Sequence, residues 1–169
     1  MEENTESKLD FKNRIIIFYN NNKFKIYFLF ILIFALLLTI TIVNINKEKQ
    51  NILTAEKYVQ AGLYLSSNKK DEASKILEEI ILSKNNFYSI LSLNIIIEKN
   101  LITDKNKILE YFNIIEKLSI TNNAKDLIIY KKALYLIKIS KKNEGIKLLK
   151  TLVKKKSNLK ILAEEVLKN

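Results

Sequence analysis

The side chains best suited to chemistry are carboxylates in adjacent pairs: Glu2-Glu3, Asp71-Glu72, Glu78-Glu79 and Glu164-Glu165. Paired carboxylates can divide acid and base roles between them or chelate a cation. Helical sequence removes both options, because adjacent residues on a helix point about 100° apart and do not converge on one site. Asp71 and Glu72 fall at an expected helix start, where the macrodipole favours negative charge, and Glu164 stands one turn before Lys168. The 169 residues contain no histidine and no cysteine, so imidazole, thiolate and ordinary zinc chemistry have nothing to work with. Gly62 and Gly145 are the two glycines, both inside helical sequence, where they are expected to serve packing rather than to cradle a phosphate. An enzyme is not expected, nor are a cofactor, a metal or a small-molecule substrate.

With no site to position by catalysis, the elements themselves carry the reading. Residues 26–43 (IYFLFILIFALLLTITIV) form an unbroken apolar run, and no charge follows before Lys47. About 20 such residues are needed to cross a hydrocarbon core of about 30 Å. A cleaved signal peptide has an apolar stretch of about 7–15 residues followed by a small-x-small site. This run is longer, and it leaves through Val43-Asn44-Ile45-Asn46-Lys47 without such a site. Residues 26–44 are therefore expected to be an uncleaved transmembrane helix held in the lipid bilayer. A tail (1–25) precedes it and a domain (47–169) follows. In the tail, Phe11, Ile15, Ile16, Phe18 and Tyr19 form a short amphipathic stretch before an expected turn at Asn20-Asn21-Asn22.

The net charge of +11 does not point to nucleic acid. Arg14 is the lone arginine, and 28 Ile, 28 Lys and 20 Asn dominate the composition, which matches an A/T-rich codon bias. Base readout favours arginine, and single-strand binding favours exposed aromatics in a basic groove. Here the lysines are scattered along every helix. Lys12, Arg14, Lys23 and Lys25 before the apolar run outnumber Lys47, Lys49 and Lys57 after it. That asymmetry favours a cytoplasmic N-terminus and a domain on the other side of the membrane.

Beyond residue 50, apolar residues recur at helical spacing between short polar breaks, as in Ala73, Ile76, Leu77, Ile80 and Ile81. Seven helices are expected there, at about 50–66, 70–83, 86–99, 104–118, 123–140, 143–155 and 157–168. Loops of two to five residues make neighbours antiparallel. The fold class is all-α.

An internal period appears as well. Ala61, Tyr64, Asn68, Ala73, Leu77 and Ile80 share their spacings with Ala133, Leu136, Ser140, Gly145, Leu149 and Leu152, 72 residues on. These spacings resemble a degenerate tetratricopeptide repeat, with small residues where the paired helices approach. The motif's aromatic is replaced by Lys57 and Ile129, its closing proline by Asn85 and Ser157, and the middle pair fits poorly. The resemblance implies a concave groove lined by the first helix of each pair. Its groove positions fall on Tyr58, Gly62 and Leu65, and on Tyr130, Leu134 and Ile137, as a candidate protein-binding surface. Tyr58 and Tyr130 would either grip a partner there or pack between repeats.

The apolar run, the segment EKYVQAGLY (56–64) and the stretch NNFYSILSLNIIIEKN (85–100) together resemble one bacterial family. This is the YfgM-like family of ancillary SecYEG translocon subunits, whose repeat domain is shared with the cell-division coordinator CpoB. The resemblance implies a single-pass inner-membrane protein with a periplasmic tetratricopeptide-like domain. The partners it implies are translocon subunits and periplasmic chaperones on the route of protein secretion. Two other expectations stand beside it: a scaffold for envelope proteins in growth or division, and a basic tether lying on anionic lipid at the cytoplasmic face.

Overall fold

The computed structural model describes residues 3–168, with side chains from residue 11 onward. Among the described residues there are seven helices and no strand: α1 (Glu3–Ser66), α2 (Lys70–Leu82), α3 (Tyr88–Glu98), α4 (Lys105–Glu116), α5 (Asn122–Lys138), α6 (Lys142–Lys154) and α7 (Lys160–Lys168). The chain divides into two compact units, Met1–Gln50 and Asn51–Asn169.

In the first unit, α1 is long and apolar enough to cross a membrane, and none of its most apolar stretch is buried by the rest of the molecule. Thr39 and Thr41 return their hydroxyls to the carbonyls of Ala35 and Leu37, at 2.8 and 2.9 Å. Both hydroxyls are thereby satisfied within the helix, as a lipid-facing surface requires. Two expected interruptions are absent. The turn at Asn20-Asn21-Asn22 is helical, with the Asn22 amide donating to the Phe18 carbonyl at 2.9 Å. Residues 45–49, which separate the expected membrane helix from the helix expected at about 50–66, are helical too. Asparagine alone does not end a helix that has no glycine or proline to break it.

In the second unit the helices alternate in direction and pack as successive pairs, α2 on α3, α5 on α6 and α6 on α7, with α4 against α3 and α5. The larger core draws Ala61, Leu77, Ile81, Leu93, Ile96, Ile108, Phe112, Ile115 and Ile128 from the end of α1 through α5. A second core joins Ala133 to Leu149, Leu152 and Ala163. Each buried Leu or Ile contributes about 1.5–3 kcal/mol. The stripe expected on α2 is the buried one: Ala73, Leu77, Ile80 and Ile81 face inward. On α7 only Ala163 of the apolar set is fully buried, and the helix starts three residues later than expected. The Ser157 hydroxyl accepts from the Leu159 amide at 3.2 Å just before it. Glu164 pairs backward with Lys160, at 3.6 Å, rather than forward with Lys168.

The turns between helices use left-handed residues without glycine. Asn68, Lys84, Asn100, Ser140 and Lys156 all have φ between 51 and 69°. Asn68 and Ser140, like Lys84 and Lys156, recur at the 72-residue offset read from the side-chain pattern. The amides of Lys69, Leu101, Lys141 and Ser157 then reach back to the carbonyls of Tyr64, Ile96, Leu136 and Leu152, closing the last turn of each helix.

The two glycines differ. A Cβ on Gly145 would lie 2.6 Å from the Ala133 carbonyl oxygen and 2.7 Å from Ile137 Cγ1, so α6 needs glycine to approach α5. A Cβ on Gly62 would meet nothing within 4 Å; that glycine does not serve packing, because its face of α1 is exposed. Gly145→Ala should therefore destabilise the fold by about 1–3 kcal/mol through overpacking. Gly62→Ala should stabilise it by about 0.5–1 kcal/mol through lower chain entropy. Urea unfolding of the detergent-solubilised chain, followed by far-UV circular dichroism, separates the two.

Candidate protein-binding groove

Residues of α3 and α5 together line an open groove of about 330 Å³: Asn94, Ile97, Glu98, Lys131, Leu134, Tyr135 and Lys138. Its shape follows from helical periodicity. Lys131, Leu134, Tyr135 and Lys138 stand at i, i+3, i+4 and i+7 on α5 and form one stripe; Asn94, Ile97 and Glu98 do the same on α3. A smaller cavity of about 160 Å³ continues from it, sharing Ile97, Tyr135 and Lys138 and adding Ile102, Lys105 and Ile108.

Apolar and cationic groups alternate along this surface. Leu134 is 37% exposed at the lip. Tyr135 is buried, with its ring against Phe112 at 5.9 Å. Burial, and secondarily the Asp104 carboxylate, push its phenol above the usual range. Lys131 donates to the Asn94 side-chain oxygen at 2.7 Å, a neutral partner, and burial holds its ammonium below the usual lysine range. The next residue, Lys132, is placed differently: it reaches Glu116 at 3.0 Å and Asn113 at 2.8 Å. One lysine is neutralised by the fold and its neighbour is not.

Of the six positions expected to line a groove, Leu134 lies in this one. Ile137 and Tyr130 turn toward α6 and pack on the second core. Tyr58 is half-buried and stacks on Tyr88 with ring centroids 5.5 Å apart, and burial followed by the charge of Tyr88 raises its phenol. Gly62 is exposed, and Leu65 is half-buried at the end of α1. Asn94, Ile97, Lys131, Tyr135 and Lys138 were not anticipated. The signal for the α5 members was present: their stripe is the one beside Tyr130, Ala133 and Ile137, and the choice between two adjacent stripes depends on where α6 sits.

Other surfaces offer less. Asn143, Ile146, Lys147, Lys150, Thr151 and Lys154 border a shallow depression of about 460 Å³ on α6 alone. A single helix encloses nothing, so this reads as a solvated lysine face. Among the described residues no group of three or more potential ligands could hold a metal. The Tyr111 hydroxyl donates to Glu78 at 2.7 Å and Lys107 pairs with the same carboxylate, tying α2 to α4. Burial first, then the Glu78 hydrogen bond and charge, push the Tyr111 phenol well up. No protein-family model, curated protein or solved structure matches this chain.

The position of α5 is secured by Asp126, 5% exposed, which takes an ion pair from Lys155 at the end of α6. Burial works against this carboxylate. The Lys155 and Ser157 hydrogen bonds and the Lys155 charge outweigh it and hold the carboxyl below its ordinary value of 3.8. Such a depressed group stabilises the fold above the ordinary value, and that contribution is lost as pH falls through the lower folded value. Asp126→Asn should cost on the order of 1 kcal/mol at neutral pH. Its difference from wild type should shrink as unfolding is measured at successively lower pH below about 4.

Proposed function

We propose that this chain is a non-enzymatic, membrane-anchored protein-interaction module that serves the secretion machinery as an ancillary translocon subunit. The α3/α5 groove carries the reading: an open, apolar trough edged by lysines and built on helix faces rather than loops. Grooves of this kind suit side chains of a partner segment. The apolar stretch of α1 supports anchoring in a membrane. The lysine and arginine excess before it supports a cytoplasmic N-terminus and, with it, a periplasmic helical array. The antiparallel helices and their 72-residue recurrence support a tetratricopeptide-like array, whose members hold protein segments on the first helices of their pairs.

Two measurements test this in the intact membrane. A reporter active only outside the cytoplasm, fused after Asn169, should be active; an active cytoplasmic reporter at the same point overturns the topology. A photocrosslinking residue in place of Leu134 should capture translocon subunits or periplasmic chaperones. Adducts with division or wall-synthesis proteins instead would make the chain an envelope scaffold. Adducts with lipid alone, together with release of the domain from membranes by high salt after cleavage from its anchor, would make it a basic tether.

A further inference from the structure

Resting on the protein-binding reading, the α3/α5 groove also shows what sort of segment it takes. Lys131 and Lys132 are neighbours on one helix, and both ammonium groups are partly withdrawn from water. Lys132 has the Glu116 carboxylate at 3.0 Å, whereas Lys131 has only the neutral oxygen of Asn94. Withdrawing a charge from water without a counter-charge is costly, and a carboxylate brought to it recovers much of that cost. Glu98 is the acidic residue of the lining, and it pairs with its neighbour Lys99 at 3.2 Å at the exposed edge. Lys138, at the other end of the same stripe, adds a second positive charge.

We propose that the groove receives an acidic–apolar segment of a partner protein, with an aliphatic side chain against Ile97 and Leu134 and an adjacent carboxylate on Lys131. Several features select this occupant over other anions. Tyr135 turns its ring onto Phe112, so the groove offers no free aromatic face for a nucleobase. A volume of about 330 Å³ is at the small end for ligand cavities and takes one or two side chains rather than an acyl chain. Tyr135 is part of the lining, and a phenol hydroxyl there can donate to a backbone carbonyl of the segment.

The test uses the full chain in phosphatidylcholine nanodiscs and three fluorescein-labelled peptides: one with repeated Leu-Glu pairs, one with Gln for Glu, and one with Ser for Leu. Fluorescence anisotropy should show the Leu-Glu peptide binding at least tenfold tighter than the Leu-Gln peptide, with the Ser-Glu peptide weaker than both. Lys131→Gln keeps an amide beside Asn94 and should erase the preference for Glu; Lys131→Arg should retain it. Circular dichroism confirms that each variant is folded. A triple Lys147→Gln, Lys150→Gln, Lys154→Gln variant should bind as wild type does, and loss of the preference there overturns the assignment. So does equal binding of the Glu and Gln peptides, or competition by phosphatidylglycerol vesicles that matches the peptide. If both Leu-containing peptides bind through Leu134 without charge preference, the charge inference falls and the protein-binding reading stands. If none binds, both fall.

Discussion

The close approach of α6 to α5, with Gly145 against the Ala133 carbonyl, sets the rotation of α5, and the rest of the functional surface follows from it. With that contact in place, Ala133, Tyr130 and Ile137 face the second core. The neighbouring stripe, Lys131, Leu134, Tyr135 and Lys138, is then left toward α3. On a helix these stripes lie side by side, so a modest rotation about the axis would exchange them. A glycine on one helix and an alanine on the other are thus what turns four otherwise ordinary residues into a groove. Asp126 and Lys155 reinforce the same placement from the end of α6.

Turn chemistry is the second constraint. A chain with no proline and two helical glycines must reverse direction with ordinary residues held in the left-handed region. Asparagine tolerates this well; Lys84, Ser140 and Lys156 do so at a steric cost of roughly 1–2 kcal/mol each. At Ser140 and Lys156 that cost is offset because the following amide is aimed at an open carbonyl at the end of a helix, Lys141 toward Leu136 at 2.8 Å and Ser157 toward Leu152 at 3.1 Å. The recurrence of these turns at one offset shows that the periodicity read in Ala61, Tyr64 and Asn68 is also a periodicity of the backbone.

Charge follows a similar logic. Lysines are so abundant that their number carries little meaning; their partners carry it. Lys57 meets Glu79, Lys107 meets Glu78, Lys132 meets Glu116 and Lys155 meets Asp126, each pairing two helices. These contacts are worth little where exposed and more where a partner is buried, as at Asp126. Against them, Lys131 stands out by its neutral partner in an apolar setting.

The sequence alone determined the all-α class, the apolar stretch near the N-terminus, the helix boundaries from residue 66 onward to within about three residues, and the buried stripe of α2. Those properties depend on local spacing and composition, which a linear string contains. It misjudged Asn20-Asn21-Asn22 and residues 45–49 because polar residues are poor helix formers yet not breakers, and an unbroken hydrogen-bond ladder carried the helix through them. The candidate site was legible only as far as Leu134. Gly62 and Gly145 look alike in the string, but one faces open space and the other another helix. The groove is made by residues 94–98 and 131–138, and which of their faces meet depends on interhelical distance and rotation. Those are tertiary quantities, decided by how far Gly145 lets α6 close on α5 and by which lysines the fold supplies with a carboxylate.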